Sequence, residues 1–204
     1  MSGHSKWSSI KHKKGAADAR RGKLFSKLSR AIIVAAKEGG ADPAGNLALQ
    51  NAIEKARSYS MPKDNIERAV ARGAGTGADA ETFETVTYEG YGPNGVAVFV
   101  EALTDNRNRT ASDVRHVFTK HDGSLGASGA VAWLFERKGV VLVPADGVDE
   151  DELTLVPKTT IEVADEAAAK KILRLIDQLE ENDDVQDVYA NFDIPEQVLE
   201  AVAV

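Results

Sequence analysis

The spacing of apolar residues changes from three-and-four to two near residue 80. Before that point, Leu24, Phe25, Leu28, Ile32 and Ala35-Ala36 recur on one stripe until Gly39-Gly40 stops the run. This predicts an amphipathic helix over 16–38. A second helix is expected from about Gly45 to Ser58, with Leu47, Leu49, Ile53 and Ala56 apolar. Pro62 suits the first turn of a third helix, where its missing N–H is not needed. Ile66, Ala69 and Val70 supply that helix's inner face, and Gly73 ends it. Residues 74–80 contain two glycines and no large side chain, and read as a flexible joint.

Beyond the joint, Thr85, Val86, Thr87 and Tyr88 alternate as a strand does, Gly92-Pro93-Asn94-Gly95 is a turn, and Val96–Ala102 returns as a nearly continuous apolar, hence buried, strand. Thr110–His121 reads as a helix with Val114, Val117 and Phe118 inward. Val131–Phe135 and Val140–Val143 read as a second strand pair around Lys138-Gly139. Thr159–Val163 reads as a strand, Asp165–Glu181 as a long helix and Val185–Phe192 as a closing strand. Strand pairs with helices between them imply an antiparallel sheet with helices on one face. The expected class is therefore α+β, with an N-terminal three-helix domain over 16–75 and a sheet domain over 81–143 plus 156–195.

Residues 1–15 fit neither period. They carry four lysines and only Trp7 and Ile10 as large apolar residues, too little to order themselves, and so are expected to form a mobile basic arm. Charge makes the arm informative. The first thirty residues hold nine Lys/Arg against Asp18 alone, in a chain of net charge −7. Residues 141–204 hold four basic and seventeen acidic side chains, so the chain is polarised end to end. Lys6, Lys11, Lys13, Lys14, Arg20, Arg21, Lys23, Lys27 and Arg30, with His12, are the candidate phosphate contacts. Arg20, Lys23, Lys27 and Arg30 fall on the polar face of helix 16–38, opposite its core residues. Trp7, beside Lys6, can stack on a base or fold back on the helices. Arg107 and Arg109 lie in a polar strand-to-helix turn, where Asp105 or Asn108 is expected to cap the helix and the arginines can face a phosphate.

Other chemistry is thin. There is no cysteine, which excludes disulfides and thiolate metal sites. The four histidines are badly placed for a shared ion, and no metal or cofactor is expected. No phosphate-cradling glycine loop, nucleophile elbow or base–nucleophile spacing is present, so no enzyme activity is expected. The acidic run Asp149-Glu150-Asp151-Glu152 reads as a solvated loop. The longest apolar cluster, Ala31–Ala36, is too short to span a bilayer, and the expected location is the cytoplasm without membrane contact.

Several segments together resemble the YebC family of bacterial and organellar proteins. They are Gly3-His4-Ser5-Lys6-Trp7 with Ile10-Lys11-His12-Lys13-Lys14, Met61-Pro62-Lys63-Asp64-Asn65-Ile66-Glu67-Arg68-Ala69, and Tyr88-Glu89-Gly90-Tyr91-Gly92-Pro93. Thr104-Asp105-Asn106-Arg107-Asn108-Arg109-Thr110, Gly123-Ser124-Leu125-Gly126 and Asp184-Val185-Gln186-Asp187-Val188-Tyr189-Ala190-Asn191-Phe192 continue the series. The resemblance implies a helical domain and an α/β domain interrupted by a third, inserted one. It also implies nucleic-acid binding: members were long called DNA-binding transcriptional regulators, and relatives act at the ribosome to help elongation through proline-rich stretches. The inserted domain is expected between Val143 and Val156, yet only a short connection, 144–155, stands there. A naturally short chain, an engineered deletion and a sequence in which a gap was closed all read alike.

The expected partner is thus the ribosome, its RNA or another structured RNA, with DNA as the alternative and an acidic scaffold for basic proteins, built on 141–204, as a third reading. The exposed-looking turn Met61, Pro62, Lys63, Asp64 and Asn65 is a candidate probe of a functional centre.

Overall fold

The computed structural model describes residues 17–75, 83–142 and 150–202. Three helices come first: α1 (Ala17–Gly39), α2 (Leu47–Ser58) and α3 (Lys63–Gly73). Leu28, Ile32, Leu49, Ile53, Met61 and Ile66 are buried among them, as the three-and-four spacing requires. Leu47 departs from expectation, being 70% exposed at the first residue of α2. The helix starts there and not at Gly45 because Asn46 is its cap. The Asn46 Oδ1 accepts from the Leu49 N–H at 3.1 Å, and its Nδ2 donates to the carbonyls of Ala35 and Gly40 at 2.7 and 2.8 Å. One buried amide therefore starts α2 and fixes the turn leaving α1. Pro62 is likewise the residue before α3, not a member of its first turn; its carbonyl accepts from the N–H groups of Asn65 and Ile66.

The second half is built on β1 (Glu84–Tyr91), β2 (Ala97–Thr104), α4 (Arg107–Lys120), β3 (Ser124–Leu125), β4 (Phe135–Leu142), β5 (Glu150–Pro157), β6 (Ile161–Glu162), α5 (Glu166–Glu180), β7 (Val185–Ala190), β8 (Phe192–Asp193) and α6 (Glu196–Val202). Strands β3, β1, β2 and β7 lie in that order, each antiparallel to its neighbour. Val86, Tyr88, Val98, Val100 and Val188 bury one face under Val114 and Phe118 of α4 and Ile172, Leu175, Ile176 and Leu179 of α5. The helices share that face, and the class is α+β as the pattern predicts.

The opposite face is covered without α-helices. Ala97 and Phe99 pack there with Val131 and Phe135. What holds this cover is Glu89, a carboxylate only 4% exposed, which accepts from the N–H groups of Gly129, Val131 and Ala132 at 2.6, 2.7 and 2.7 Å. Burial alone would raise its pKa, but three amide donors outweigh that and hold it below the usual carboxylate value.

Four expectations fail here for local reasons. Val131–Phe135 is not a strand: Glu89 takes the amides of Val131 and Ala132, and Ala132–Leu134 closes a 3₁₀ turn. Strand β4 instead runs straight through Lys138-Gly139 and pairs with β5 from Phe135↔Pro157 to Leu142↔Glu150. That pairing makes Glu150–Glu152 strand, not solvated loop. The region around Thr159–Val163 contributes only Ile161–Glu162, paired in parallel with Phe192–Asp193, because Val185–Phe192 breaks after Ala190.

Phe83 and Leu103 belong to the helical core and not to the sheet core, so the end of the β1–β2 pair is where the two halves meet. Gly73 serves the helical packing by close approach: a Cβ there would meet the Ile33 carbonyl oxygen and come within 2.7 Å of Ala36 Cβ. Gly73→Ala is expected to lower stability by about 1–3 kcal/mol in urea unfolding, because overpacking exceeds the roughly 1 kcal/mol that helix propensity returns.

Candidate nucleic-acid interface

Lys23, Lys27 and Arg30 follow one another on α1 at four and three residues, which puts them on one face. All three donate to the same short stretch of backbone. Lys23 Nζ reaches the Glu181 carbonyl at 3.2 Å, Lys27 Nζ the Glu180 carbonyl and the Arg30 guanidinium the Asp183 carbonyl. These oxygens sit at and just beyond the C-terminus of α5, where a helix leaves carbonyls unmatched and its dipole is negative. A row of cations from one helix thus caps the end of another.

Beside this row lies Asp184, whose side chain is 4% exposed. Its Oδ2 accepts from Arg109 at 2.7 Å, with the hydroxyls of Thr110 and Thr104 at 2.7 and 3.4 Å. Its Oδ1 is 3.6 Å from the Arg30 guanidinium, which also lies 5.5 Å over the Phe83 ring. Burial would raise the Asp184 pKa, but the hydrogen bonds from Arg109 and Thr110 and the Arg109 and Arg30 charges outweigh it and hold it below the usual value. The Leu103 N–H donates to the Asp184 carbonyl at 2.8 Å, locking the same residue to β2.

The two arginines of the strand-to-helix turn are both matched with carboxylates. Arg107 is 3.6 Å from Glu84, and Arg109 bridges Asp105 and Asp184 at 2.7 Å each. The helix cap is Asn106, whose Oδ1 accepts from the Arg109 N–H at 3.1 Å; neither Asp105 nor Asn108 takes that role. Between the halves opens a cleft of about 580 Å³ that mixes Arg30, Arg72 and Arg109 with Asp105, Asp113, Asp183 and Asp184. Its charges are too evenly mixed for a plain anion pocket.

Lys6, Trp7, Lys11, His12, Lys13 and Lys14 lie outside the described residues, and so does the side chain of Arg20. Arg21 is exposed on α1. In the 61–65 turn, Met61 is buried in the helical core at 5% exposure, contrary to the exposed reading. Ser60, at φ 59°, turns the chain into it. Pro62, Lys63 and Asp64 project, with Lys63 3.4 Å from Glu67, while Asn65 accepts from Arg68. Among the described residues, no group of three or more His, Asp or Glu could hold a metal ion, and no helix is long and apolar enough to cross a membrane.

Comparison with known proteins settles the relationship. The TACO1/YebC N-terminal domain matches residues 5–76, and the TACO1/YebC second and third domain matches residues 83–155 and 148–192. The chain belongs to the TACO1/YebC family. A probable transcriptional regulatory protein of Rubrobacter xylanophilus is 52% identical over 250 aligned positions, covering all of both chains. One of the same description from Persephonella marina is 46% identical over 251, again covering both completely. A crystal structure of a conserved hypothetical protein from Aquifex aeolicus is 45% identical, with a TM-score of 0.83 over 93% of this chain and 97% of the other. The alignment with the Rubrobacter relative spans 250 positions against 204 residues here, so at least 46 of its positions have no counterpart in this family member.

Asp184 carries the prediction. A carboxylate held below its ordinary pKa contributes stability that is present above the unfolded value, near 3.8, and lost as pH falls through it toward the folded one. Asp184→Asn should lower stability at neutral pH by about 3 kcal/mol, since it leaves Arg109 and Arg30 without their shared anion. The unaltered protein should lose thermal stability below about pH 4, and the same variant should flatten that loss.

Proposed function

We propose that this TACO1/YebC family member is a non-enzymatic nucleic-acid-binding factor that docks on structured ribosomal RNA in the cytoplasm and assists elongation through difficult, proline-rich stretches. The observation that carries the reading is the nine-to-one excess of basic over acidic residues in the first thirty. Cations gathered this closely neutralise phosphates and release counterions, a term that needs no base sequence. An arm of this composition, with Trp7 among its lysines, suits an irregular RNA surface better than a regular groove.

Within that set we divide the labour. Lys6, Lys11, His12, Lys13, Lys14, Arg20 and Arg21 take phosphates, and Trp7 a base. Lys23, Lys27 and Arg30 already hold carbonyls at the end of α5, so their use on RNA would require those bonds to be exchanged. Arg107 and Arg109 stand likewise with Glu84, Asp105 and Asp184. Pro62, Lys63 and Asp64, at the projecting α2–α3 turn, are the candidate probe of a functional centre. The β4–β5 hairpin is read as the place where longer relatives carry a further domain. Entry and exit on adjacent paired residues such as Leu142 and Glu150 would let it be absent at little cost in loop closure.

The printed descriptions of the bacterial relatives favour a second reading, a DNA-binding transcriptional regulator. Against it, the three N-terminal helices offer no trio of base-reading side chains on a recognition helix. Co-sedimentation with ribosomes tests the first reading: deleting residues 2–15, which leaves α1 whole, should reduce association at least tenfold at about 150 mM salt. Unchanged association would defeat it. In competition at fixed salt, ribosomal RNA should displace a DNA duplex, whereas a preference of about a thousandfold for one duplex sequence would establish the regulator instead.

A further inference from the structure

Among the described residues, four large apolar side chains are exposed, and two of them meet at a single backbone carbonyl. Trp133, 64% exposed, donates its indole N–H to the Ala130 carbonyl at 3.1 Å. Tyr91, 37% exposed, donates its hydroxyl to the same oxygen at 3.0 Å. Each ring spends its polar atom on the protein, so what it offers to solvent is aromatic surface. Leaving a tryptophan in water forfeits the large apolar burial such a side chain supplies in a core.

The surface is also held still. The Glu89 carboxylate grips the N–H groups of Gly129, Val131 and Ala132, which bracket Ala130 and lead directly into Trp133. Lys158 closes the other side: its N–H donates to the Leu134 carbonyl and its ammonium to the Trp133 carbonyl, both at 2.8 Å. The neighbouring cations Arg137 and Lys138 are matched with Glu101 and Glu136, whereas the Lys158 charge rests on a carbonyl at the tryptophan itself. An immobilised aromatic pair with one cation at its edge fits a base that stacks and a phosphate that follows it.

We propose that Trp133, Tyr91 and Lys158 form a second contact for RNA, one that takes an unpaired base on Trp133 and its phosphate at Lys158. It rests on reading the chain as an RNA-binding factor, but uses the face of the sheet opposite α4 and α5 and none of the residues of the arm. Stacking of this kind tolerates any base, so the contact supplies affinity for single-stranded segments and not sequence choice.

Trp7 and Trp133 are the only tryptophans, so in the full chain carrying Trp7→Phe all tryptophan emission comes from Trp133. The probe is an end-labelled oligouridylate of about twelve nucleotides, long enough to span a single-strand site. Its anisotropy reports binding while Trp133 emission reports stacking. Emission should be quenched along the same isotherm as the anisotropy. Adding Trp133→Ala should weaken binding about tenfold, and Trp133→Phe, which keeps a ring, should retain most of it, with unchanged melting temperatures. Binding without quenching, or equal affinity in Trp133→Ala, overturns this contact and leaves the RNA reading standing. Absence of binding even at low salt overturns both. An emission change that follows protein concentration without RNA identifies the patch as a self-association surface and overturns the proposal.

Discussion

Asp184 places a negative charge out of water at the meeting of the two halves, and the way they fit follows from neutralising it. Moving a carboxylate from water into a protein interior costs several kcal/mol unless cations and hydrogen-bond donors replace its hydration. Here the replacements come from different parts of the chain: Arg30 from α1, Thr104 from the end of β2, Arg109 and Thr110 from α4. Thr104, Arg109 and Thr110 reach Asp184 from within the sheet half, whereas the Arg30 contact is made only when the helical half sits on the end of the sheet. A buried ion pair of this kind adds little net stability compared with apolar packing, but breaking it is expensive, so it fixes one arrangement. Phe83 and Leu103, buried in the helical core beside it, supply the apolar part of the junction.

This changes the meaning of the polarised charge. A positive beginning and a negative end suggest a molecule oriented by a polyanion, with its whole cationic helix face turned outward. In the folded chain part of that field is closed internally, because Lys23, Lys27 and Arg30 lie on the end of α5 and the turn to Asp184. On the proposed reading, the cations that would serve an external phosphate are those ahead of Lys23. Intramolecular docking and RNA binding would then draw on neighbouring turns of one helix and its leader, in sequence order. The acidic end is then a partner of α1 as well as a region that phosphate repels.

The regular parts of the fold are legible because they depend on short-range pattern. The stripe through Leu24, Leu28 and Ile32 and the alternation through Val86 and Tyr88 each impose one period, and burial follows it. The irregular parts depend on single polar side chains that act across long separations. Glu89 decides that Val131–Leu134 is a turn forty residues further on, and nothing around Val131 announces that. Asn46 moves the start of α2 from Gly45 to Leu47 by accepting from the Leu49 amide, a cap that Asn before a helix could have signalled. Asp184 sits in an acidic run with Asp183 and Asp187, so composition gives no reason to bury one of the three. The family resemblance found the segments containing Glu89 and Asp184 without showing that either is a structural anchor. Arg109 reads as a phosphate ligand for a related reason: Asp105, four residues before it, is a visible partner, but the second carboxylate it bridges lies seventy-five residues away.

If Lys23 and Lys27 hold the end of α5 while the cations ahead of them hold RNA, the salt dependence of RNA binding separates the two sets. The slope of log K against log salt should be measured on one ribosomal RNA fragment for the unaltered chain and for Lys23→Gln with Lys27→Gln. Equal slopes and a lower melting temperature are expected for the variant, because both lysines serve the junction. A slope shallower by about 1.4, roughly 0.7 for each of the two lost phosphate contacts, would show that they serve the RNA and would contradict this division.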